Sequence, residues 1–300
     1  MSEINAYLSS LRASLAGSDP ALVQDALAET ETRYRRERER LAWAEPLLSE
    51  PVADQRVLAT LGPAAERAET YRQRERVVAE ALGPVPEAAS PEEPAPRPWP
   101  SFFGVFVDAK AYSSVVYLLA SLLTGILYFT WTTFGLSISL GFIILIIGVP
   151  LTVLVLGSIR ALGLIEGRLV EVLLDVRMPR RPPLLPEGRR WLDRFMAIVT
   201  DGYTWKCVVY CLVHLPLGIF SFTLTLTGLA LSLGLVAAPV AHWIWHVPLV
   251  VAFDQEYLMP LWVQLLLPLG GLMGLAGTLH LALGLGRLHG GIARALLVRR

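Results

Sequence analysis

Apolar residues recur at helical spacing over the first 80 positions and then, beyond residue 100, crowd into runs longer than soluble helices carry. Ile4, Tyr7, Leu8, Leu11 and Leu15 share one stripe. Gly17 ends it, and Asp19-Pro20 supplies a capping residue followed by proline at the first helical position. A second helix carries Val23, Leu27, Tyr34 and Leu41 on one face. Arginine and glutamate alternate over Arg33 to Arg40 on its other faces, as in a solvated helix with internal ion pairs. Val52, Val57, Leu58 and Leu61 form a third stretch closed by Leu61-Gly62-Pro63, and Ala64, Tyr71, Val78 and Leu82 form a fourth. The pattern predicts a small helical bundle over residues 1–83. In the next segment, 84–100, seven of seventeen residues are proline, which predicts a semi-rigid extended spacer packed against neither bundle nor bilayer.

Lys110 and Arg160 enclose 49 residues without a charged side chain. As helix this is about 70 Å, more than twice the hydrocarbon thickness of a bilayer, so two spans and a turn are expected. A turn at Phe134-Gly135-Leu136-Ser137 divides them into spans of about 113–133 and 137–159. Lys206 to Asp254 encloses 47 uncharged residues, and 30 more separate Glu256 from Arg287. An offset of 93 residues aligns Asp108, Tyr117, Gly125, Phe129, Gly135 and Ser139 with Asp201, Tyr210, Gly218, Phe222, Gly228 and Ser232. An offset of 123 aligns the segment from Ala161 with that from Gly284. A duplicated two-helix unit is expected, with an insertion in its second copy around His242 to Trp262. Further spans are placed at about 206–238 and 261–285. The fold class expected is all-α: a soluble bundle followed by a four-helix transmembrane domain over 101–300.

Basic residues cluster between the two units, from Arg160 to Lys206, and again from Arg287 to Arg300. By the excess of basic residues on inner loops, both clusters should be cytoplasmic, and parity then favours four spans with both termini inside a bacterial inner membrane. Leu162, Ile165, Leu169, Val172 and Leu173 share one face, while Glu166, Arg168, Glu171 and Asp175 occupy others. That reads as an amphipathic helix on the inner leaflet, with a second at Trp191 to Val199.

Composition adds two constraints. The chain is 54% hydrophobic and only 17% charged, unlike a soluble domain, and its formal neutrality hides an acidic first hundred residues and a basic remainder. Met-Ser-Glu-Ile-Asn has neither a basic nor an apolar leader pattern, so no cleaved signal is expected. The arginines of the second helix are offset by Glu29, Glu31, Glu37 and Glu39, which argues against nucleic acid as a partner.

Candidate chemistry is sparse. His242 and His246 stand one turn apart near Asp254 and Glu256, a conceivable external divalent-ion site. Trp243, Trp245, Tyr257 and Trp262 surround them, and an interfacial aromatic belt is the preferred reading. His214 and His280 fall inside predicted spans and are expected to make interhelical hydrogen bonds as neutral side chains rather than to relay protons. Cys207 and Cys211, one turn apart, read as small core or lipid-facing residues rather than a disulfide. Gly163/Gly167, Gly270/Gly274 and Gly286/Gly290 suit close helix approach, within the chain or in a homo-oligomer. No P-loop, dinucleotide fingerprint, nucleophile elbow or metalloprotease helix occurs, so no catalytic residue, cofactor or metal is expected.

Two segments resemble known families. INAYLSSLRASL, the charged second helix and VLATLGPAAERAETYRQ resemble the HAAS-type helical signalling domain of bacterial membrane proteins, over residues 1–82. FFGVFVDAKAYSSVVYLLASLLTGILYF, IGVPLTVLVLGSIRALGLIEGRLVEVLL and VVYCLVHLPLGIFSF resemble the sensor domain of actinobacterial-type membrane proteins, over 101–298. Those domains often precede a histidine kinase module, whereas this sequence ends at Arg300 with neither a phosphoacceptor helix nor a glycine-rich nucleotide segment. The resemblances imply a non-catalytic sensor that meets the lipid bilayer on one side and a cytoplasmic regulator or kinase through its N-terminal bundle. The rivals are a small transporter or permease subunit and a constitutive membrane-anchored scaffold. Against transport stands the expectation that the spans hold no Asp, Glu, Lys or Arg.

Overall fold

The computed structural model describes residues 3–81, 100–142, 147–179, 191–245, 251–252, 255–256 and 260–298. Four helices come first: α1 (Glu3–Ser14), α2 (Pro20–Ala44), α3 (Glu50–Leu61) and α4 (Ala64–Ala81). The Asp19 carboxylate accepts from the Ala21 amide at 2.8 Å and so caps α2, while Pro20 occupies the first turn, where no amide donor is needed. Gly17 (φ 82°) and Gly62 (φ 74°) turn the chain in the left-handed region that favours glycine. Leu11, Leu15, Leu22, Ala26, Ala68 and Tyr71 make one small core, and Tyr34, Val57 and Leu61 make another.

The second core has a polar lid, in which the Tyr34 hydroxyl donates to Asp54 at 2.7 Å and Arg38 closes on the same carboxylate. Burial first, then the hydrogen bond to Asp54 and its charge, push the Tyr34 phenol up to about 12. A folded-state value above the unfolded value of about 10 means that folding favours the neutral phenol. Its contribution to stability is therefore complete below about pH 10 and lost as pH rises through about 12. Alkaline unfolding followed by circular dichroism should show this loss, and Tyr34→Phe should remove that part of the pH dependence. An unchanged alkaline profile in the variant would contradict the assignment.

A short α5 (Pro100–Phe103) and a 3₁₀ turn lead into the membrane domain: α6 (Ala109–Phe142), α7 (Gly148–Leu174), α8 (Trp191–Thr200), α9 (Gly202–Trp245) and α10 (Leu261–Leu297). Two-residue strands, Val251–Ala252 and Gln255–Glu256, pair between α9 and α10. Helices α6, α7, α9 and α10 are each long and apolar enough to cross a membrane.

Several expected boundaries are corrected. Residues 134–137 do not turn, because α6 continues to Phe142. Gly135 is instead a packing position, where a Cβ would lie 2.7 Å from Val155 Cγ1. Nor is 162–175 a separate helix, since residues 162–174 are the second half of α7 and Asp175 caps its end. The helix need not stop at Arg160, as the expected boundary assumed, because the charges at Arg160 and Glu166 are compensated inside the protein. Helix α9 has 44 residues, about 66 Å and twice what one crossing requires, and α10 runs 12 residues past the expected 285. The spacer expected at 84–100 lies, apart from Pro100, outside the described residues.

Helix directions follow from the close contacts. A Cβ on Gly125 would lie 3.0 Å from Leu215 Cα, and one on Gly218 would lie 2.5 Å from Ser121 O, so α6 and α9 pack antiparallel. Arg160 meets Thr204 and Glu166 meets Tyr210, in step, so α7 and α9 run parallel. Four strictly alternating passages would make α6 and α9 parallel, so the parity argument does not describe this packing.

Positions related by the sequence offsets make matching contacts. The Tyr112 hydroxyl donates to Phe106 O at 2.8 Å, as the Trp205 indole does to Val199 O at 2.7 Å. Gly135 faces Val155 as Gly228 faces Thr278, and Gly163 faces Leu297 and Cys207 as Gly286 faces Leu174 and Ser114. The two helix pairs are thus related by an approximate two-fold axis perpendicular to α6 and α9.

Candidate functional site

Glu166 lies at the centre of the membrane domain with no exposed surface. Its position follows from α7, whose small residues Gly163 and Gly167 let neighbouring chains close over that turn. Three tyrosines converge on it. Tyr117 of α6 donates to Oε1 at 2.6 Å, Tyr210 of α9 donates to the same oxygen at 3.2 Å, and Tyr128 of α6 donates to Oε2 at 3.1 Å. His214 Nε2 of α9 stands 3.7 Å from Oε1 and is bonded to Thr124 Oγ1 at 2.9 Å. The His289 ring of α10 packs edge-on against His214 and Tyr117, with its Nε2 on Ser221 Oγ at 2.8 Å. The Nδ1 atoms of both histidines are buried and have no hydrogen-bond partner among the described residues.

The two-fold relation explains the composition. Tyr117 and Tyr210 are equivalent positions, and so are Glu166 and His289. Two carboxylates at those points would repel each other in a low-dielectric interior, whereas a carboxylate and a neutral imidazole do not. An ionised carboxylate only accepts hydrogen bonds, and three hydroxyl donors aimed at its two oxygens suit that form.

A second buried charge pair ties α7 to the start of α9. Arg160 donates to Asp201 at 2.8 Å and to Thr204 at 3.2 Å, and its guanidinium lies 5.1 Å from the centre of the Tyr203 ring. These residues overturn the expectation that the spans contain no charged side chain.

The anticipated positions fare differently. His214 makes an interhelical hydrogen bond, as anticipated, but beside a carboxylate. His280 is exposed rather than interior, stacks on Phe102 and contacts its carbonyl at 3.1 Å. His242 lies near the end of α9, whereas His246, Asp254 and the Glu256 side chain lie outside the described residues. Among the described residues no three His, Cys, Asp or Glu side chains cluster as metal ligands would. Cys207 and Cys211 are buried free thiols. Glu166, the three tyrosines and His289 were missed as a site. The signal was the alignment of Glu166 with His289, a polar pair inside matching Leu-Gly contexts.

No curated protein and no solved structure matches the chain. Residues 117–297 match the family described as "Putative sensor", and that stretch takes in Tyr117, Glu166, Tyr210 and His289. More than half of the sequence is covered, including most of α6 and the whole of α7, α9 and α10, and the chain belongs to the Putative sensor family of membrane proteins.

Proposed function

We propose that this chain is a non-catalytic sensor and signalling adaptor of a bacterial inner membrane, in which the state of the four-helix domain sets the availability of the N-terminal bundle to a cytoplasmic regulator or kinase. The observation that carries this reading is the ionic joint between the two parts. Arg177, just after α7, reaches Asp25 of α2 at 3.4 Å and Glu75 of α4 at 3.3 Å, and it also holds Glu171 of α7 at 3.1 Å. Arg294 of α10 meets Asp19 at 2.7 Å, on the carboxylate that caps α2. The acidic bundle, expected to stand apart, therefore rests on the basic end of α7 and on α10.

Magnitudes suit a switch. Partly exposed ion pairs contribute on the order of 0.2–1 kcal/mol each and weaken with salt. A joint built from a few of them can be opened by a modest change in the membrane domain, as a two-state element requires. The matching contacts of the two helix pairs support descent from a duplicated unit, and the resemblance to HAAS-type domains supports an interaction role for the bundle.

A test compares full-length protein with the R177E/R294E double variant in the same membranes, by affinity capture. The sensor reading expects a regulator or kinase whose recovery changes several-fold when the joint is broken. Equal recovery would favour a constitutive scaffold. Failure to recover any specific regulator would favour a small permease subunit, the reading that Glu166 and Arg160 inside α7 also suit.

A further inference from the structure

We propose that the Glu166 cluster is a proton-binding site at the junction of the two helix pairs, and that its occupancy is linked to the packing of α6 against α9. The inference concerns the membrane domain alone and does not depend on whether the bundle signals.

The groups facing Glu166 are few. Helix α6 contributes Tyr117 and Tyr128, α9 contributes Tyr210 and His214 with Cys207 and Cys211 on the same buried face, and α10 contributes His289. The α7 cations are paired elsewhere, Arg160 with Asp201 and the exposed Arg168 with Glu171. No lysine or arginine is paired with the Glu166 carboxylate among the described residues. Its charge must be balanced by a proton, carried either on the carboxyl itself or on His214.

The present geometry fits an acceptor-only carboxylate, since both oxygens already receive hydroxyl donors. Adding a proton to either oxygen creates a new O–H, which needs an acceptor where a donor now points. A tyrosine hydroxyl must then turn round or withdraw. Tyr117 and Tyr210 flank the place where α6 and α9 approach closest, at Gly125 and Gly218. Contact there is backbone to backbone, so a tyrosine that withdraws, rather than only turning its hydroxyl, shifts α6 against α9. The unpartnered Nδ1 atoms of His214 and His289 provide two further places to hold or pass the proton.

The test uses full-length protein in nanodiscs, titrated between about pH 4 and 9, where carboxyl and imidazole groups change charge. Infrared difference spectroscopy reads the carboxylic C=O band, and hydrogen exchange reads the amides of 118–128 and 211–221. The expected result is a titrating band that disappears in Glu166→Gln, with exchange in both segments changing across the same midpoint. Tyr210→Phe, which keeps the carboxyl and removes one donor, should move that midpoint, whereas Tyr112→Phe should not. A titration that persists unchanged in Glu166→Gln would overturn the proton site. A band that titrates without any change in exchange would overturn the linkage to packing.

Discussion

Replacing Arg160 by leucine is expected to destabilise the membrane domain by about 3–5 kcal/mol, the usual cost of removing one member of a buried ion pair. The Arg160 and Asp201 side chains are only 6% and 11% exposed. The variant takes the guanidinium away from the Asp201 carboxylate, which also accepts from the Thr204 hydroxyl and the Tyr203 amide. Most of the cost is that of a buried carboxylate deprived of this cation rather than the lost attraction, so Arg160→Leu combined with Asp201→Asn should recover much of the loss. Thermal unfolding of the two single variants and the double variant in one detergent gives the coupling energy directly. A single variant as stable as the parent would show that the pair does not tie α7 to α9.

The second large effect is expected at Gly218, where a methyl group would sit 2.5 Å from Ser121 O and 2.9 Å from Ser121 C. Neither atom can move without the backbone of α6. Gly218→Ala should cost about 1–3 kcal/mol as an overpacked contact, and Gly218→Val more. Gly234 lies on the same helix, and nothing stands within 4 Å of its notional Cβ. Gly234→Ala should therefore fall within about 0.5 kcal/mol of the parent. Equal losses at the two positions would mean that the α6–α9 crossing is not the close contact described.

These two positions also show which features were legible in the sequence. Gly125 and Gly218 stand out as equivalent glycines by alignment alone, but only the packing shows that each is pressed against the other helix. Local signals read well, because Asp19-Pro20 and Gly62 act within a few residues of themselves. The four apolar helices were visible from run length. Their ends are not, because a charged residue in an apolar run reads as the border of a span. Arg160 and Glu166 break that rule, since each finds its partner on a helix remote in sequence. The same assumption hid the candidate site. Tyr117 and Tyr210 were aligned and Glu166 and His289 could be, yet nothing local reveals that four helices bring them to one point. Helix direction was also out of reach, since basic residues report the side on which a loop lies rather than which helices touch.

The bundle posed the opposite difficulty. Its helices follow from their own stripes, while its seating depends on Arg177 and Arg294, which look like ordinary loop and surface charges until Asp19, Asp25 and Glu75 are placed against them. The acidic first third and basic remainder gave the sign of that attraction, and the structure gives its address.

On the proposed function, the core of the membrane domain and the seating of the bundle are coupled. Spin labels at Arg36 of α2 and Leu288 of α10, both exposed, allow the distance between bundle and membrane domain to be measured in full-length protein in nanodiscs. Glu166→Gln, which alters only the buried cluster, is expected to shift or broaden the distance distribution relative to the parent. Superimposable distributions from two proteins of equal helical content would contradict it.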